Sequence, residues 1–423
     1  MVDTIIAAPQ RSQPQTRREA EALAWSWPIE DVSPADPHVF SLGAELPYFE
    51  RLRRESPVHR ANSPAFGTYW SITQWDDIMA VDTNHKVFSS EPTITLRDPQ
   101  EDLPLPMFIA MDPPKHDVER KAVNSIAQPP NISALEPLVR KRARDILDNL
   151  PLDQEINWVD KVSVELTAMT LATLFDIPQE DRRKLTRWSD VATSAEDSGL
   201  VMSAEARKAE LLECLAYFTE VWKERAGAAG RNDLISMLAN NDATKNMDHF
   251  EFLGNLVLLI VGGNDTTRNT ISGSVLALNQ NPEQYDRLKS DHSLIPSMVS
   301  ETIRWQTPLA FMRRTAKQDT EIGGKMIKAG DKVAMWYLSG NRDESVLERP
   351  NDFWIERPNV RRHLSFGFGI HRCVGQRLAE MQLQIIWEEI LKRFKHVEVV
   401  GEPKRVRSCF VRGYESLPVR LHS

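Results

Sequence analysis

Residues Phe366–Gly375 read FGFGIHRCVG. Gly367, Gly369 and Gly375 surround one cysteine, Cys373, and an amphipathic run, Gln376 to Phe394 (QRLAEMQLQIIWEEILKRF), starts directly after it. Glycines let a backbone turn tightly and approach a flat ligand closely. A cysteine at a helix start has its thiolate stabilised by free N–H groups and the positive dipole end. Such a sulfur suits the axial position of a haem iron. A lone cysteine is otherwise most often an inert buried thiol, and that reading holds for Cys214, in LLECLAYF, and for Cys409. The three cysteines are far apart and form no CxxC pair, which argues against a disulfide framework or a structural zinc site.

Upstream, three segments stand out. Glu301 and Arg304 (ETIR) sit three apart, so on a helix they share a face and can pair. Most such pairs are solvated and worth little. Leu258 to Thr267, LLIVGGNDTT, has the all-round apolar character of a buried helix. Yet it carries Gly262 and Gly263, each costing about 1 kcal/mol relative to Ala. An acid and two hydroxyls follow, and buried polar groups without partners are costly. Asn264-Asp265-Thr266 also fits a glycosylation sequon, against which its place in a buried run argues. Third, MDPPKHDVERK (Met111 to Lys121) puts His116 and Arg120 one helical turn apart.

These segments together resemble the cytochromes P450. FGFGIHRCVG is similar to the haem loop of bacterial members, FGxGxHxCxG. The resemblance implies that Cys373 ligates the iron of haem b, with Phe366, Gly367 and Gly375 shaping its cradle. It implies that Glu301 and Arg304 match the family's ExxR pair, buried and joined by Arg357 from DFWIERP to hold the cysteine loop. Gly262 and Gly263 would open a groove for dioxygen, and Asp265 and Thr266 would be the acid–alcohol pair that delivers protons. His116, Arg120, Arg314 (in RRTA) and His371 match contacts to the haem propionates, which cationic donors suit.

The rest of the chain agrees with one large unit. It has 423 residues and net charge -8, so it lacks the basic footprint of a nucleic-acid binder. The start lacks the long apolar core of a secretory signal, and Leu256 to Val261 is too short to span a bilayer, so a soluble cytoplasmic protein is expected. Residues 1–45 are polar and Pro-punctuated and read as an irregular arm, with one haem domain over 46–423 and no fused reductase. Tyr48 to Glu55 reads as a helix and Phe66 to Thr73 as a strand. Pro92 to Pro114, with six prolines, reads as a long loop. Helical periodicity dominates from Ala134 to Lys223, broken by a loop around Ala195 to Leu200. Asp248 to Leu278 reads as one long helix capped by Asp248. Glu321 to Met335 alternates around GG and AGD turns, as a small hairpin does. The expected fold is mainly α with a small β lobe, a single-domain P450 fold with its long central helix over the haem.

The implied reaction inserts one atom of dioxygen into a C–H bond, with electrons from a ferredoxin and its reductase. Arg361, Arg362, Arg372 and Arg377 would form a basic docking patch for an acidic partner, or are simply scattered surface arginines. LPMFIAMDPPKHDVERK, LLIVGGNDTTRN, RWQTPLAFMRRTAKQD, MWYLSGNRD and RGYESLPVR resemble the bacterial terminal (omega) hydroxylases of medium-chain alkanes and fatty acids. Ile109, Leu258, Val261, Leu309 and Val411 would then wall an apolar tube, or else belong to ordinary core packing. Arg97 would hold a substrate carboxylate, or is solvated. Three rivals stand beside this reading. One is a P450 acting on a terpene or steroid. One is a peroxygenase, whose family members usually replace the acid–alcohol pair by Arg-Pro. One is a haem-thiolate sensor, which would need no proton-delivery pair.

Overall fold

A computed structural model describes residues 13–194, 199–201, 203–228 and 230–423. Its centre is the 32-residue helix His249–Gln280, whose start is fixed as the sequence predicts: Asp248 accepts hydrogen bonds from the Phe250 and Glu251 amides. From Phe252 to Leu278 most of its residues are buried on every side, because other helices surround it. Val164–Leu174, Arg182–Thr193, Ile295–Gln306 and Gln376–Arg393 pack directly against it. The largest apolar core joins its second half (Ile271, Val275, Leu278) to Trp158, Trp387 and Ile386. A second core lies around its first half, with Leu171, Trp188 and Phe218.

The β lobe is a five-stranded sheet in the order Val58–Ser63, Gly67–Ile72, Lys332–Met335, Met312–Ala316, Phe88–Ser89. Gly67–Ile72 runs parallel to Lys332–Met335 and the other pairings are antiparallel. A three-stranded sheet, Glu155–Asn157, Pro418–His422 and His396–Val399, closes the carboxyl-terminal end. The expected hairpin is shorter than its sequence pattern: Thr320–Ile322 and Lys325–Ile327 close over Gly323 and Gly324, both at positive φ, and Lys332–Met335 leaves for the large sheet.

The expectation of an irregular arm over 1–45 is corrected over its described part. Arg17–Ser26 is an α-helix with a capping box: Thr16 and Glu19 satisfy each other's backbone amides. Ala20 and Ala24 are buried against Tyr48 and Leu52, and the Tyr48 hydroxyl donates to the Ala20 carbonyl at 2.8 Å. The stripe is narrow and made of alanines, so the surrounding charges hide it. T-R-R-E, the capping-box pattern, is the signal that marks it.

The Pro92–Pro114 segment is a loop carrying one short 3-10 turn, Phe108–Ala110. It is pinned to the central helix. The Asn255 amide oxygen accepts from the Phe108 N–H at 3.0 Å, and a Cβ on Gly254 would lie 2.0 Å from the Pro106 carbonyl oxygen. The loop around Ala195 to Leu200 falls mostly outside the described residues. No helix among the described residues is long and apolar enough to cross a membrane.

Candidate active site

A cavity of about 770 Å³ opens between the central helix, the Pro92–Pro114 loop and the cysteine loop. Cys373 lies on its wall, with its sulfur reachable from inside the cavity although it is far from bulk solvent. The loop that holds it is a chain of forced turns. Gly367 and Gly369 both have φ +65°, and a Cβ on Gly369 would meet the Asp82 carbonyl oxygen at 2.7 Å. The Cys373 N–H donates to the Phe366 carbonyl at 2.8 Å. Burial pushes the thiol up. The Gly375 amide, Arg120, the Gln376 amide and Arg372 pull it back towards the thiolate.

Behind the loop, Glu301, Arg304 and Arg357 form one buried cluster. Arg304 donates bidentately to Glu301, at 2.7 and 2.8 Å, and Arg357 Nε donates at 3.0 Å. The Trp354 amide adds a further donor at 2.8 Å. Arg304 also donates to the carbonyls of Asn341, Pro350 and Asp352. The link to the cysteine loop runs through Asn341, which sequence reasoning missed. Its side chain accepts from the Leu364 amide at 2.6 Å and donates to Ser365 Oγ at 2.9 Å.

Arg120 and Arg314 both line the cavity. Arg120 donates to the carbonyl of Arg372, next to the cysteine. His116 and His371 stack edgewise, with ring centroids 4.2 Å apart. His116 Nδ1 pairs with Asp117 and His371 Nε2 with Ser90 Oγ, each at 2.8 Å. The other nitrogens, His116 Nε2 and His371 Nδ1, are buried without a partner. Burial and the guanidiniums of Arg314 and Arg120 hold the His371 ring neutral, with a pKa lowered to about 2. His371 lines the cavity with the two guanidiniums and the sulfur, while His116 packs against it and is not on the lining. The orphaned His371 nitrogen, the guanidiniums and the sulfur would suit a flat iron-holding macrocycle that carries carboxylates.

On the distal side, Gly262, Gly263 and Thr266 line the cavity. The two glycines do different work. A Cβ on Gly262 would meet nothing within 4 Å, whereas one on Gly263 would press on Leu171 Cδ1 at 2.8 Å. Thr266 Oγ1 donates to the Gly262 carbonyl at 2.9 Å. Asp265 does not face the cavity: it is fully buried behind the helix. Its Oδ1 accepts from Arg268 at 2.8 Å, Ser189 at 2.9 Å and Asn264 at 3.2 Å. Burial pushes its carboxyl up and Arg268 opposes this. Its Oδ2 accepts from Thr193 Oγ1 at 3.2 Å, and Thr193 does line the cavity.

Ile109, Leu258, Val261 and Leu309 lie on the cavity wall. Val411 does not. It pairs with Leu309 in an isolated β-bridge and is buried, while its neighbour Phe410 lines the cavity. Successive residues of an extended segment face opposite sides, so the one-residue slip exchanges wall for core. Arg97 is exposed and lines the cavity. Arg361, Arg362, Arg372 and Arg377 are all exposed. Arg361 is paired with Glu380 at 2.9 Å, and Arg362 lies over the Trp75 ring.

A sequence model of the family described as Cytochrome P450 matches residues 200–410. Linalool 8-monooxygenase of Pseudomonas putida is 34% identical, over 91% of this chain and 98% of that protein. Methyl-branched lipid omega-hydroxylase of Mycobacterium tuberculosis is 32% identical, over 88% of this chain and 90% of that protein. Among solved structures, cytochrome P450-153 from Novosphingobium aromaticivorans superposes with a TM-score of 0.86 at 45% identity, covering 93% of this chain and all of that one.

Proposed function

The chain belongs to the cytochrome P450 family of haem b monooxygenases, and from that premise we propose that it hydroxylates medium-chain n-alkanes, fatty acids or both at the terminal carbon. Dioxygen is the co-substrate, and a ferredoxin with its reductase supplies the electrons.

Cys373 would hold the haem iron, with Arg120, Arg314, His116 and His371 on the propionates. The bound haem supplies the activation of dioxygen and the attack on the C–H bond. The protein's own part is to place one carbon and to move protons. The wall of Ile109, Leu258, Val261, Leu309 and Phe410 offers an aliphatic chain only apolar surface. Such a wall binds by area, at about 25 cal/mol per Å². A primary C–H bond is stronger than a secondary one, so terminal attack requires the wall to admit the chain end first. Thr266 places a hydroxyl on the cavity face of the helix, and turning it from the Gly262 carbonyl frees its proton for an acceptor in the cavity. Asp265 is the acid behind it, held by Arg268 and Ser189. The exposed arginines around the cysteine loop would meet an acidic electron donor.

The observation that carries this reading is the group of apolar side chains, Ile109, Leu258, Val261, Leu309 and Phe410, that shares the cavity with Gly262 and Thr266. The resemblance of the flanking segments to terminal hydroxylases supports it, as does the name of the omega-hydroxylase relative. The test is turnover of the holoenzyme with a ferredoxin and reductase, offered octane and dodecanoic acid, with the hydroxyl located by mass spectrometry. Mainly terminal alcohol is expected, and the preferred substrate decides between hydrocarbon and acid. Internal alcohols alone would discard terminal hydroxylation. The likeness to a linalool monooxygenase favours a second reading, a terpene alcohol as substrate. Faster turnover of linalool than of octane would establish it.

A further inference from the structure

Asp82 is a buried carboxyl group that no motif marks. It is the last residue of the helix Trp75–Asp82, and its side chain is 1% exposed. Both features are costly. A negative charge at a helix C-terminus opposes the dipole, and a buried charge needs a partner. Three donors converge on it, one from each of three separate elements. Arg314 Nη2, on the strand Met312–Ala316, donates to Oδ1 at 2.9 Å. The Tyr337 hydroxyl and the Phe368 amide donate to Oδ2, each at 2.9 Å. Arg314, Tyr337 and Gly367 all line the cavity, and Asp82 stands one layer behind them. The same residue meets the loop a second time, at the Gly369 turn, which has room for no Cβ against the Asp82 carbonyl.

We infer that Asp82 is a positioning residue for the haem: its carboxylate aims Arg314, ties the cysteine loop to the β lobe, and offsets the Arg314 charge felt by the iron. The inference rests on reading Arg314 and Cys373 as haem contacts. Its electrostatic consequence has a sign. Ferric haem carries one more positive charge than ferrous haem, so a nearby carboxylate favours the ferric state. Neutralising Asp82 exposes the iron to an uncompensated Arg314 and raises the reduction potential. Tyr337→Phe acts in the opposite sense. It removes a donor that partly neutralises the carboxylate and leaves the charge in place, so the potential falls.

The test is a spectroelectrochemical titration of the substrate-free holoenzyme in the wild type, Asp82→Asn and Tyr337→Phe, with circular dichroism as the check on folding. No turnover is involved, so failure of terminal hydroxylation leaves the result untouched. Failure of the haem reading shows separately, as a wild type without the red-shifted Soret band of the reduced CO complex. Asp82→Asn is expected to raise the ferrous-to-ferric ratio at fixed potential about tenfold, equivalent to about 59 mV for one electron. Tyr337→Phe is expected to lower that ratio about twofold or more. A folded Asp82→Asn with an unchanged ratio would overturn the inference. So would shifts of the same sign in both variants, which mark loosened packing rather than charge. Should Asp82→Asn fail to fold, Tyr337→Phe decides alone, and an unmoved or raised ratio in it overturns the inference.

Discussion

A single methyl group has opposite consequences at two glycines of the central helix. At Gly262 it would enter open space, so Gly262→Ala removes the entropic cost of glycine and gains about 1 kcal/mol of helix stability. At Gly254 it would strike the Pro106 carbonyl, and the struck atom is backbone, which cannot swing away. Gly254→Ala therefore forces the Pro92–Pro114 loop off the helix, at a cost of about 1–3 kcal/mol. Urea midpoints should move up for the first variant and down for the second. Equal midpoints would contradict the pinning of the loop. The same contrast explains what the sequence discloses at this scale. Gly262, Gly263 and Thr266 are legible because they interrupt an apolar run. Gly254 is silent, because its reason lies in a backbone nearly 150 residues away in sequence. Val411 turns into the core and Phe410 faces the cavity because the phase of a short extended segment, and not its composition, decides which residue lines the wall.

Among the elements, the helix Ile295–Gln306 is the one whose sequence says least about its importance. E-T-I-R by itself is an ordinary surface pair. The fold makes it a keystone by leaving Glu301 and Arg304 both fully buried and adding Arg357. One carboxylate then faces two guanidiniums, whose remaining N–H groups are spent on the carbonyls of residues 341 and 348–352. Removing that charge strands two buried cations. Glu301→Gln is expected to destabilise the protein by about 3–5 kcal/mol, read as a drop in the urea midpoint at unchanged slope. A loss below about 1 kcal/mol would mean that the arginine–carbonyl bonds alone hold the cluster. Motif and role were legible here only through the family resemblance. The relay through Asn341 to Leu364 and Ser365 was not, because one side-chain amide joins three distant segments and leaves no periodic trace. Asp82 and Ser90 escaped for the same reason: each serves residues more than 200 positions away.

Across the whole molecule, burial shifts the protonation of particular groups, His363 and His371 among them, and folding should therefore depend on pH. His363 is buried, with no partner for Nδ1. Burial, with Arg304, Arg361 and Arg372 nearby, lowers its pKa from 6.5 to about 3. The folded chain thus leaves it neutral where the unfolded chain protonates it. Its contribution is complete above pH 6.5 and is lost as pH falls, by about 2 kcal/mol at pH 5. Denaturant midpoints of wild type and His363→Gln should differ in pH dependence by that amount between pH 5 and pH 8, with the wild type the steeper. The cavity poses the complementary whole-molecule question, since its wall is assembled from the long loop, the central helix, the strand Met312–Ala316 and the cysteine loop. A wall of that kind recognises length rather than functional groups. Each methylene moved from water onto it contributes about 0.8 kcal/mol, or roughly fourfold in Kd. Kd for n-alkanes from hexane upward, followed by the spectral shift of the bound haem, should fall by that factor per carbon and then stop falling. The chain length at the break measures how much of the 770 Å³ remains for substrate once the haem is bound. A Kd indifferent to length from the first carbon onward would show that the chain does not lie along the apolar wall, and terminal selectivity would need another origin.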